Sequence, residues 1–169
     1  MTTPSGEAAP YPRLIVDLGA IRRNYARLQD MTAGAEVAAV VKADAYGLGA
    51  AAIAPVLLHA GAKTFFVANA HEGEIVRAAV GAQARIFVLH GFWPADVQAI
   101  ARSALIPIIN SADQLRDWLA GPAGPYALHF DTGMNRLGIP MSELQSVADL
   151  AGLRTPELVM SHFACADEP

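Results

Sequence analysis

The segment Val40-Val-Lys-Ala-Asp-Ala-Tyr-Gly-Leu-Gly49 carries the side chains best suited to chemistry in this sequence. Lys42 follows two valines. A lysine kept partly out of water loses its proton more readily and can attack a carbonyl as a Schiff-base nucleophile. A lysine at a strand end can equally run its apolar stem out to solvent, so the spacing alone leaves both readings open. Downstream, Phe130-Asp-Thr-Gly-Met-Asn-Arg-Leu-Gly138 puts Arg136 in a glycine-bearing loop, and Met160-Ser-His-Phe-Ala-Cys-Ala-Asp-Glu168 puts His162 at the end of an apolar run. Standing alone, such an arginine is usually solvated and such a histidine usually structural.

The elements that must position these residues follow a regular beat. From Glu36 onward, short apolar runs rich in β-branched and aromatic residues alternate with amphipathic stretches. The pattern predicts strands at 36–42, 64–68, 85–89, 105–109, 126–131 and 157–162. Helices are predicted at 50–60, 70–80, 95–101, 112–119 and 143–151, the last two opened by the capping boxes Ser111-x-x-Gln114 and Ser142-x-x-Gln145. Continuous apolar strands such as Arg85-Ile-Phe-Val-Leu89 suit a parallel sheet buried on both faces. Strand–helix alternation means α/β, either an open doubly wound sheet or a (β/α)₈ barrel. Such a barrel needs about 250 residues, so as a barrel this chain supplies six strands of eight. Residues 14–17 read as a leading strand and 18–28 as a helix, both ahead of the first strand–helix unit. The domain reading is therefore a tail at 1–10, the leading pair within 11–35 and a partial barrel over 36–169. Lys42 then lies at the C-terminal end of a strand, the face where barrels place their chemistry.

Composition narrows the function. The chain has 169 residues, 53% of them hydrophobic and 17% charged, enough for a buried core. A net charge of −4 with no Lys/Arg run argues against a nucleic-acid partner. The lone Cys165 allows no internal disulfide and fits a reducing compartment. The opening residues lack the basic and apolar regions of a secretory signal, and no stretch is long enough for a membrane span. A cytoplasmic protein is expected.

Val41-Lys-Ala-Asp-Ala-Tyr-Gly-Leu-Gly49 resembles the pyridoxal-phosphate attachment motif of alanine racemases. The resemblance implies that Lys42 holds pyridoxal 5'-phosphate as an aldimine and serves as one of two catalytic bases. It implies that Tyr46 contacts the cofactor phosphate. The segment 130–138 is similar to the family's fifth-strand motif, whose arginine, here Arg136, bonds the cofactor's phenolic oxygen and orients the substrate carboxylate. The segment 160–168 is similar to the sixth-strand motif, whose histidine, here His162, supports the cofactor ring. Leu89 matches a leucine that lines the cofactor pocket. There is one departure. The family often has a carbamylated lysine where this chain has His129, so Arg136 must be held by a bound anion or by the imidazole itself.

The resemblance implies an isomerase that interconverts L- and D-alanine, supplies peptidoglycan and works as a homodimer. It covers residues 11–169, about half of a family member. The remaining strands, most phosphate ligands, and a β-rich domain bearing the second base are expected beyond Pro169. The leading strand is expected to pair with that domain, and the chain alone to be inactive and to associate through open sheet edges. Rival readings stay in view. Gly47-x-Gly49-x-x-Ala52 fits a dinucleotide fingerprint, but Ala43–Tyr46 intervenes between strand and glycine, and no acidic residue ends the second strand. His129, Asp131 and His162 could converge on a metal, though no base accompanies them and no metal is expected. A small non-catalytic barrel with the same lysine, and a racemase for another small amino acid such as serine, are the closest alternatives.

Overall fold

The computed structural model describes residues 12–121, 124–152 and 154–166, so the tail expected at 1–10 lies outside the described residues. Asp17 caps the first helix, α1 (Leu18–Met31), by accepting from the Ala20 N–H at 3.0 Å. The residues before it, expected to pair as a leading strand with a domain outside this chain, stand unpaired here. Leu14 and Ile15 are 71% and 87% exposed, and this run pairs with no strand among the described residues. Their backbone N–H and C=O groups have no strand neighbour among the described residues to bond with.

The beat after Glu36 is realised as a parallel sheet. The strands are β1 (Ala39–Val40), β2 (Thr64–Val67), β3 (Arg85–Val88), β4 (Ile106–Ile109), β5 (Ala127–Asp131) and β7 (Leu158–Ser161). Each pairs in parallel with the next in that order, a half-barrel, one of the two architectures that the alternating pattern allows. Between them run α3 (Ala50–His59), α4 (Ala70–Val80), α5 (Val97–Arg102), α6 (Ala112–Ala120) and α7 (Leu144–Ala151). A short strand unforeseen in the sequence, β6 (Ile139–Pro140), pairs with Phe130 and Asp131 of β5.

Three local expectations change. The first strand has a ladder of only two residues, although the Val41 N–H extends it by donating to the Phe66 carbonyl at 2.9 Å. The helix expected at 95–101 starts as a 3₁₀ turn, Pro94–Asp96. Ser111 caps α6 through the Gln114 N–H, but Ser142 does not cap α7. Ser142 sits inside the 3₁₀ turn Met141–Glu143, entered from Pro140, so it lies inside a turn instead of standing at a helix entrance.

Strand parity divides the side chains into two layers. Phe65, Val67, Ile86, Val88, Ile109, Leu128 and Phe130 belong to the main core, with the covering helices. Phe66, Phe87, Ile106, Ile108, Ala127, Leu158 and Met160 make a second cluster on the opposite face. There Phe66 and Phe87, paired in register, stack with ring centroids 5.2 Å apart. Among the described residues no helix is long and apolar enough to cross a membrane.

Candidate functional site

Parity also sets what lies at the C-terminal ends of the strands. Stepping by two from the inner layer leads from Val40 to Lys42, from Phe66 to Ala68, from Phe87 to Leu89, from Ala127 to His129, and from Met160 to His162. All ten except Phe87 and Ala127 line one cleft of about 510 Å³, together with Tyr46, His90, Arg136 and Leu137. The structure therefore brings together every site residue expected from the sequence: Lys42, Tyr46, Leu89, Arg136 and His162.

The backbone after Lys42 is unusual. Within α2 (Lys42–Gly47), Ala43, Asp44, Ala45 and Tyr46 have φ of 52 to 56° and ψ of 38 to 49°, a left-handed helical turn. Each L-residue there costs about 1–2 kcal/mol, so four in a row do not form on local preference. The turn is held by its contacts. Ala45 N–H donates to the Val41 carbonyl and Gly49 N–H to the Asp44 carbonyl, both at 2.9 Å, and Ala45 is buried. The Asp44 carboxylate accepts from the Ala50 N–H at 2.7 Å and so caps α3. Reversed in hand, the turn leaves Lys42 and Tyr46 on the same cleft, with Nζ 6.0 Å from the Tyr46 ring centroid.

The loop bearing Arg136 is organised by Asp131. Its carboxylate accepts from Gly133 N–H at 2.9 Å and Asn135 N–H at 3.1 Å. These backbone donors, Gly133 first, hold its pKa below the ordinary value. The loop closes where Gly138, at φ +109°, passes against the β5 backbone, and β6 then pairs back onto β5.

His129, where the sequence departs from the family motif, is a central wall of the cleft. It is only 6% exposed. Asn110 uses both amide hydrogens on the carbonyls of Leu89 and Ile108, at 2.9 and 2.8 Å. Its oxygen is therefore what faces His129 Nδ1 at 2.9 Å, so Nδ1 must carry the proton. Nε2 is then an acceptor, and it is buried without a partner among the described residues. Burial, and then the neighbouring His162, lowers the His129 pKa. A neutral ring offering a lone pair suits a donor such as a guanidinium, and disfavours an anion. The signal was available in the sequence as parity, two residues on from Ala127; the Asn110 relay was not.

The metal reading does not assemble: among the described residues no three of His, Cys, Asp and Glu form a metal-holding group. Asp131 is occupied with loop amides instead.

Residues 16–169 match the family described as alanine racemase, N-terminal domain. An alanine racemase of Dinoroseobacter shibae is 50% identical over 92% of this chain and 45% of its own length. A biosynthetic alanine racemase of Agrobacterium fabrum is 44% identical over 99% of this chain and 44% of its own. Among solved structures, the alanine racemase of Bartonella henselae with covalently bound pyridoxal phosphate superposes with a TM-score of 0.82 at 36% identity. That match covers 88% of this chain and 46% of the other. The biosynthetic alanine racemase of Pseudomonas aeruginosa gives 0.80 at 38%, over 90% and 44%. The chain thus spans just under half the length of these relatives.

Proposed function

Because the chain belongs to the alanine racemase N-terminal domain family, we propose that it is the cofactor-binding part of an enzyme that interconverts L- and D-alanine, with pyridoxal 5'-phosphate held on Lys42. The observation that carries this reading is the convergence of Lys42, Tyr46, Leu89, Arg136 and His162 on one cleft at the strands' C-terminal ends.

The residues present suit the cofactor. Lys42 offers an amine for its carbonyl, and Tyr46 a phenol for its phosphate. Arg136 offers a guanidinium for the phenolic oxygen and for the substrate carboxylate. Leu89 and Phe66 supply apolar wall for the ring, with His162 beside it. His129 Nε2 is an orphan acceptor on the same wall, and we assign it to the Arg136 guanidinium, in place of a bound anion. When bound, the cofactor conjugates with the substrate's α-carbon and acidifies its hydrogen. With the cofactor bound, Lys42 would be the residue that takes that proton from one face or returns one to it. A single base mostly restores the original hand, so racemisation needs a second base on the other face. We assign that base to a tyrosine of a β-rich domain outside this chain, acting across a homodimer interface. In the same reading residues 36–169 belong to a barrel completed by further strands, and the enzyme works in the cytoplasm, supplying D-alanine for peptidoglycan.

Lys42→Ala in the complete polypeptide tests the assignment. It is expected to abolish covalent cofactor attachment, read as visible absorbance near neutral pH, together with D-alanine formation. Retained attachment with normal racemisation would refute it.

A further inference from the structure

We propose that Glu72 is a positioning residue for Lys42, its carboxylate acting as the clamp that holds the left-handed turn against the next strand. One oxygen, Oε1, accepts from the Ala43 N–H at 2.9 Å; the other, Oε2, accepts from the Ala68 N–H at 2.8 Å. Ala43 is the residue after Lys42 and the first of the four left-handed residues. Ala68 follows β2 and lines the same cleft. One carboxylate thus ties the entrance of the strained turn to the end of the neighbouring strand.

The clamp is itself anchored. Glu72 sits in the first turn of α4, where its own N–H donates to Asn69 Oδ1 at 3.0 Å. An acidic side chain there commonly reaches back to satisfy a free N–H at the start of its own helix. That accounts for the direction of Oε2, which reaches one residue past the N-cap Asn69 to Ala68. It does not account for Oε1, whose partner lies 29 residues earlier in the chain and on another strand–helix unit. Other contacts of the turn secure its body and exit: Val41 with Ala45, Ala45 with Leu48, and Asp44 with Gly49 and Ala50. Among these contacts Glu72 alone takes up the N–H beside Lys42. A run of left-handed L-residues does not sustain itself, so loosening that entrance frees the Lys42 backbone. A carboxylate is needed because both contacts are N–H donors. Glutamine has only one acceptor oxygen and would turn an NH₂ toward the other.

The inference rests on Lys42 being the cofactor lysine, and the test separates the two ideas. The sequence has two lysines, Lys42 and Lys63, so Lys63, just before β2, is an internal control. The chain is incubated with limiting pyridoxal phosphate, reduced with borohydride, and the Lys42:Lys63 labelling ratio read by peptide mass spectrometry. Amide hydrogen exchange is followed at Ala43 and Ala68 in parallel. Glu72→Gln is expected to lower the ratio about tenfold, what one hydrogen bond to a charged acceptor is worth, and to speed exchange at Ala43 by a similar factor. Asn69→Ala, which removes the anchor of the Glu72 N–H but leaves both carboxylate contacts in place, is expected to lower the ratio by much less than Glu72→Gln. Glu72→Asp, which keeps the charge but is too short to span both donors, takes the place of Glu72→Gln should that variant not fold. Parent-like labelling and parent-like Ala43 exchange in the Glu72 variant overturn the proposal, and so does an equal loss in Asn69→Ala. If the parent shows no preference for Lys42, the cofactor-lysine assignment fails, and exchange at Ala43 alone then decides the clamp.

Discussion

Ala43→Gly should stabilise this protein, although alanine-to-glycine changes in helices almost always do the opposite. Ala43 is exposed, at φ +52°, so its methyl contributes no buried contact and only a steric penalty. The left-handed conformation costs an L-residue about 1–2 kcal/mol, which glycine does not incur. Against this stands glycine's greater chain entropy when unfolded, about 0.5–1 kcal/mol. The difference is a net gain of about 0.5–1 kcal/mol. The control is Ala52→Gly, equally exposed but inside the right-handed helix α3. It should lose about 1 kcal/mol. The two variants should therefore separate by about 1.5–2 kcal/mol with opposite signs. Urea unfolding monitored by circular dichroism resolves that, provided the denaturant slope stays constant. Equal destabilisation in both would mean that residues 43–46 are right-handed, and the account of how Lys42 and Tyr46 share the cleft would fall with it.

Two further outcomes follow from the Arg136 loop and from His129. Gly138→Ala should cost about 3 kcal/mol, because φ +109° is a glycine conformation and the added carbon would lie 2.8 Å from the Asp131 backbone nitrogen. A stability loss in urea unfolding of less than about 1 kcal/mol would show that the β5–β6 contact yields. His129 has its pKa lowered from 6.5 by burial. Below that pH the unfolded chain binds a proton that the folded one resists, so stability is full above pH 6.5 and falls as pH drops toward the folded value. His129→Gln keeps a donor for Asn110 but cannot titrate, and should flatten the loss that sets in as pH falls below 6.5. Equal slopes in variant and parent would remove His129 as the cause.

Much of the architecture was written in the chain itself. The apolar runs at 64–68, 85–89 and 105–109 became strands within a residue of their expected limits, and α4 spans Ala70–Val80 as predicted. Burial on alternate faces is a local property, so a period of two or 3.6 records it directly. The same parity carried Lys42, Leu89 and His162 to one end of the sheet, and the motif around Lys42 suggested the chemistry proposed for it. What the chain did not disclose has a common cause. Nothing in Ala43-Asp-Ala-Tyr46 favours a left-handed turn. Its hand is set by Glu72, Asp44 and the end of β2, and the first of these becomes a neighbour only once β1 and β2 lie side by side. His129 showed its inward direction by parity, but its tautomer depends on Asn110, 19 residues away. The run at 14–17 has strand-like residues and stays unpaired among the described residues, because pairing requires a partner that local preference cannot supply. Periodicity reports which face of an element avoids water; which polar group meets which, and with what backbone strain, is decided only when distant elements come into contact.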